Sequence, residues 1–113
     1  MLDEKTAVNF IQNLDGVSQG YPFGKKKSVF SRDGENFALI YEGTVPLRLS
    51  LRCEPKLAAL LRSEYETVMP ASDLSPQKWN TVLCTGQLDE QEVKDLIVHA
   101  YHLVAGDSAD ITA

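Results

Sequence analysis

Positive charge is concentrated in the middle of this 113-residue chain. Lys25, Lys26 and Lys27 form a run, Arg32 follows, and Arg48 and Arg52 stand four apart in a segment of strict alternation. Cations grouped in this way suit phosphates, which take charge and N–H donors without demanding a particular base sequence. Between Lys25 and Arg62 eight bases stand against four acids; the remainder holds three bases and twelve acids, for a net charge of −5. Lys78, beside the single tryptophan Trp79, adds a cation outside that stretch. A solvated loop is the plain reading of the lysine run alone. With Arg32, Arg48 and Arg52 beside it, the balance moves toward a shared basic surface.

Other chemistry is poorly provided for. His99 and His102 lie three apart with Asp95 four before His99. At helical spacing both histidines fall off the apolar stripe, which predicts solvated side chains and no metal site. Cys53 and Cys84 fall in strand-like apolar runs, without a CxxC pair or a Cys–His cluster, and read as buried free thiols. No phosphate-cradling glycine loop and no G-x-S-x-G elbow is written in the chain. With no positioned nucleophile, base and orienting group, the expectation is a protein that is not an enzyme and takes no cofactor.

The elements that must carry the cations can be read in order. Ala7, Phe10, Ile11 and Leu14 mark one face of a first helix, with Asp3 as N-cap and Gly16 as its stop. Glycines and Pro22 then break the chain, leaving room for a short edge strand at 17–21. Ser28 to Arg32 and Glu35 to Tyr41 read as strands joined by Asp33-Gly34, a strong hairpin signal. Phe37, Leu39 and Tyr41 are expected on one face of the second strand. From Val45 to Cys53 apolar residues alternate with Arg48, Ser50 and Arg52, which predicts a half-buried strand with a solvated basic face. Pro55 opens a second helix. The stretch 68–76, with prolines at 70 and 76, reads as an irregular connection. Trp79, Thr81 and Leu83 alternate in a last strand, with the tryptophan facing the core. Asp89 and Glu92 form a capping box, flanked by the staple pair Leu88 and Val93, at the start of the final helix.

Runs of strands followed by helices indicate an α+β domain, an antiparallel sheet with helices packed on one face. A single domain is expected over residues 1–106, with 107–113 as a flexible tail. No apolar run reaches the roughly 18 residues of a membrane helix. The N-terminus Met1-Leu2-Asp3-Glu4-Lys5 lacks the pattern of a cleaved leader, so a cytoplasmic chain is expected.

Taken in sequence, several segments resemble the MmcQ/YjbR family. They are Tyr21-Pro-Phe-Gly24, Val29-Phe30, Phe37-Ala-Leu-Ile40, Leu47-Arg-Leu-Ser-Leu-Arg-Cys-Glu-Pro55, the block from Pro70 to Val82 containing Trp79-Asn-Thr, Leu88-Asp89, and Ala100-Tyr101-His-Leu-Val104. The resemblance implies a frataxin-like (CyaY-like) α/β sandwich, also described as a double wing, and DNA binding without enzymatic activity. Where the family often has Asn-Lys-Lys-His before the tryptophan, this chain has Ser75-Pro76-Gln77-Lys78, a less positive loop.

Three functions follow as expectations. The first is binding of double-stranded DNA through phosphates, with Lys25, Lys26, Lys27 and Arg32 at hairpin tips and Arg48, Arg52 and Lys78 extending the surface. The second is a small protein-interaction or regulatory domain with no nucleic-acid partner. The third, by fold analogy alone, is a metal binder using Asp89, Glu90, Glu92 and Asp95, whose helix-capping role already explains them.

Overall fold

The computed structural model describes residues 2–72 and 74–104. These form three helices and six strands: α1 (Glu4–Gln12), β1 (Val17–Gly20), β2 (Lys27–Arg32), β3 (Glu35–Tyr41), β4 (Leu47–Arg52), α2 (Pro55–Glu64), β5 (Val68–Pro70), β6 (Trp79–Cys84) and α3 (Glu90–Val104). The strands make one antiparallel sheet in the order β1-β2-β3-β4-β6-β5. The α+β reading holds. The segment read as an irregular connection supplies the short edge strand β5, where Val68 pairs with Val82 despite Pro70 at the strand's end. The expected tail, residues 107–113, lies outside the described residues.

Local signals set the ends of each element. The Asp3 carboxylate accepts from Thr6 N at 2.8 Å and caps α1. Asp33 and Gly34 both take positive φ, 52° and 81°, as the tight β2–β3 turn requires. Glu54 caps α2 by accepting from Lys56 N and Leu57 N. The predicted capping box on α3 is formed in both directions, Glu92 N to Asp89 Oδ1 at 2.8 Å and Asp89 N to Glu92 Oε1 at 3.0 Å.

The register sorts the sheet into two faces. Phe30 is opposite Ala38, Ile40 opposite Leu49, and Leu49 opposite Val82. These residues pack with Ile11 of α1 and Val93, Ile97 and Ala100 of α3 in the main core. Asn80 is on the same side and donates to Ala58 O of α2. All three helices therefore cover one face. A register shift beside Phe30 and Ser31 leaves Phe37 without its own partner in β2. Such a bulge turns a side chain across the sheet. Phe37 packs edge-on against Tyr101 of α3 at 5.6 Å instead of lining the other face with Leu39 and Tyr41.

Two thiols sit at opposite ends of this framework. Cys84 is opposite Leu47, while Cys53 lies six residues further along, roughly 20 Å at strand spacing. Both are free and buried, which pushes each thiol up to about 11.

Candidate nucleic-acid interface

The face turned away from the helices is built from the alternate positions of the same strands. Lys27, Tyr41, Arg48 and Leu83 are register partners across β2, β3, β4 and β6 and form one row. Val29, Leu39, Ser50 and Thr81 make the next row, and Arg52 opposite Trp79 the row beyond it. The site is thus a bulky cationic-aromatic row, a low hydroxyl row, and a second bulky pair.

The arginines do not stand out into solvent as the alternation suggested. Arg48 and Arg52 are half-buried, and their Nε atoms are buried without a hydrogen-bond partner among the described residues. Arg48 lies over the Tyr41 ring, its guanidinium carbon 4.7 Å from the centroid, with the Lys27 ammonium at 5.9 Å. This cation–π contact draws the aliphatic stem onto the sheet. The Tyr41 hydroxyl approaches Ser50 Oγ at 3.4 Å, and Ser50 shares a 2.8 Å hydrogen bond with Thr81. Ser50 is fully buried, which corrects the expectation of a wholly solvated basic face. The only carboxylate paired to either arginine among the described residues is Glu35, 3.9 Å from Arg52 and itself largely exposed. Such an exposed pair is weak.

Trp79 is buried as expected, at 8% exposure, but on the helix-free face. Its opposite number is Arg52, whereas Asn80, on the other side of the strand, is buried beneath α2 and held by Arg62 at 2.6 Å. The alternation was right and the assignment of its two sides was inverted.

The seven predicted cations divide. Lys27, Arg48 and Arg52 share the helix-free face, and Lys25 and Lys26 are exposed on the β1–β2 loop at the Lys27 end. Arg32 is at the other end of β2, roughly 17 Å away at strand spacing. It is turned to the helix side, its guanidinium 4.0 Å from the Tyr101 ring and donating to Tyr101 O at 3.5 Å. A structural role in fixing α3 explains that position. Lys78 is exposed just before β6 at the Arg52 end, away from the lysine loop. The shared basic surface therefore consists of five of the seven.

His99, expected to be solvated, is half-buried and accepts from Glu54 N at 3.2 Å, linking α3 to the start of α2. Burial pushes its basicity below the ordinary histidine value. Among the described residues no three His, Cys, Asp or Glu side chains cluster to hold a metal ion, and no helix is long and apolar enough to cross a membrane.

Tyr41 escaped the sequence reading as a site residue. Its signal was its place on the same strand-face parity as Leu39, but only the β3–β4 register sets it against Arg48.

The comparisons agree with this architecture. A Deinococcus radiodurans protein, DR2400, with a DUF419 domain, superposes with a TM-score of 0.83 at 23% identity, over 92% of this chain and 79% of that one. A protein from Pseudomonas syringae superposes with a TM-score of 0.76 at 22% identity, over 91% and 99%. YbdF of Escherichia coli O157:H7 is 26% identical over 100 residues, 88% of this chain and 82% of its own. YjbR of Escherichia coli K12 is 32% identical over 65 residues, so the match spans 58% of this chain and about half, 55%, of that relative. The YjbR family model matches residues 12–103, from the end of α1 to the last turn of α3, and the chain belongs to the YjbR family.

Proposed function

We propose that this chain is a non-enzymatic, cytoplasmic DNA-binding domain that holds backbone phosphates on its helix-free sheet face. One observation carries the reading: Lys27, Arg48 and Arg52 share that face, with Lys25 and Lys26 at its end and Glu35 as the one carboxylate paired to the two arginines among the described residues. The acids of α3, by contrast, sit on the helix layer. Among the described residues no helix presents base-reading side chains to solvent beside these cations, so the proposed contact is with phosphates and sequence-tolerant.

The test is a titration of a labelled DNA hairpin bearing a single-stranded extension, at several salt concentrations. Engaging about four cations gives a log–log slope between about −2.8 and −3.6, the limits for unpaired and duplex phosphates. The Lys25→Ala, Lys26→Ala double variant, altered only at exposed positions, should flatten the slope by about 1.5. Salt-independent binding, or none at low salt, would sink the proposal. The protein-interaction reading would then lead, drawing on Tyr21 and Phe23, which are half exposed on the same loop.

A further inference from the structure

We infer that the nucleic acid taken by this face is single-stranded, and that the β1–β2 loop provides a stacking platform for its unpaired bases. The inference rests on the nucleic-acid reading above and adds which form is bound.

The first argument is width. Six strands at roughly 4.8 Å spacing make a face about 24 Å across, twice the roughly 12 Å of a major groove. A sheet this broad stays outside a duplex groove and reaches only its phosphates, whereas a single strand can lay phosphates and unpaired bases along it. The second is aromatic placement. Of the large apolar side chains that remain exposed, Tyr21 and Phe23 are both on the loop that carries Lys25 and Lys26. The Tyr21 hydroxyl donates to Glu42 at 2.6 Å, and Gly24 N to Tyr21 O closes the turn, so the loop is anchored. Lys26 is held at a φ of 72° while its carbonyl accepts from Glu42 N at 2.8 Å. A lysine kept in this left-handed region is a strained, locked conformation. Phe23, 51% exposed, makes no ring contact among the described residues. An exposed ring interleaved with cations gains nothing from a duplex, whose base faces are already stacked, but stacks on an unpaired base. In the row that begins at Lys27, next after this loop, the Arg48 guanidinium lies on the Tyr41 ring, a planar cation of the kind on which a base can stack.

The experiment compares a single strand of about 12 nucleotides, as DNA and as RNA, with a duplex of the same sequence. Binding is followed by anisotropy and by the fluorescence of Trp79, the only tryptophan, which lies on the proposed face. Either single strand should bind about tenfold tighter than the duplex and change the Trp79 signal, and Phe23→Ala should weaken it at least about fivefold while leaving duplex binding unchanged. Duplex binding equal to or tighter than both single strands overturns the inference and leaves the nucleic-acid reading standing. An unchanged Phe23→Ala affinity, or no Trp79 response, also overturns it. No binding to any of the three overturns both.

Discussion

Trp79 shows what a single residue's side of a strand decides. It is buried yet sits outside the main core, packed on a face without helices. Replacement by Ala should therefore cost about 3 kcal/mol, the low end for a buried large aromatic, because its surroundings can partly collapse. Urea denaturation measures this, and a loss under about 1 kcal/mol would mean the indole contributes little packing. His99 carries a separate, pH-dependent contribution. Its folded-state basicity is lowered by burial, and its neutral ring accepts from Glu54 N. Glu54 opposes the shift and His102 adds to it. A depressed histidine means the unfolded chain binds the proton more readily. Its stabilisation is present above the ordinary value of 6.5 and is lost as pH falls through the folded-state value. The lowered carboxylates Asp3, Glu42 and Glu54 act in a more acidic window, below their ordinary values of 3.8 and 4.5. Melts of wild type and His99→Gln should diverge least near pH 5 and most above pH 7 if the hydrogen bond matters only when His99 is neutral. Parallel curves would show that the ring's charge state is immaterial.

At the scale of elements, legibility followed how local the signal is. The α3 start was readable because a capping box is written within four residues, and its partners meet as expected. Asp89→Ala should cost about 1 kcal/mol in denaturant, whereas an exposed-helix change such as Gln91→Ala should cost close to nothing. Equal effects of the two would remove the cap from the account. The β2–β3 hairpin was legible for the same reason, since Asp33-Gly34 carries its turn type in its own φ preferences. What the sequence hid is non-local. Nothing in the run from Phe37 to Tyr41 reveals the bulge that turns Phe37 onto Tyr101, because the shift exists only between β2 and β3. Trp79 and Asn80 alternate as they must, but which side meets α2 depends on β4 pairing and on Arg62 holding Asn80. The cations were legible as a group and not as a surface. Arg32 separates from Lys27 because β2 carries them to opposite ends, and Tyr101 draws it to the helix side.

Across the whole molecule, charge is arranged by layer. Asp89, Glu90, Glu92 and Asp95 lie in the cap and first turns of α3, while Lys27, Arg48 and Arg52 lie on the far face of the sheet. Among the described residues this polarity favours the sheet face over the α3 side for an anion, despite the net charge of −5. The shortest dimension of the molecule is 25 Å, so α3 acids at the outer surface are roughly that far from a ligand on the opposite face. At about 0.15 M salt the screening length is near 8 Å and their repulsion should vanish; at about 0.01 M it reaches near 30 Å and their repulsion is felt. Two unit charges at that range interact by only about 0.1–0.2 kcal/mol in water, and the residual screening cuts this to about 0.07 kcal/mol; the pairs of two acids with about four phosphates then sum to a two- to threefold effect. Glu90→Gln with Asp95→Asn should thus tighten nucleic-acid binding about two- to threefold at the lower salt and leave it unchanged at the higher. Arg48→Ala, which removes a contact of the proposed site, should weaken binding at both. If the helix-layer variant gains affinity equally at both salts, the ligand touches α3, and the basic sheet face is not where it binds.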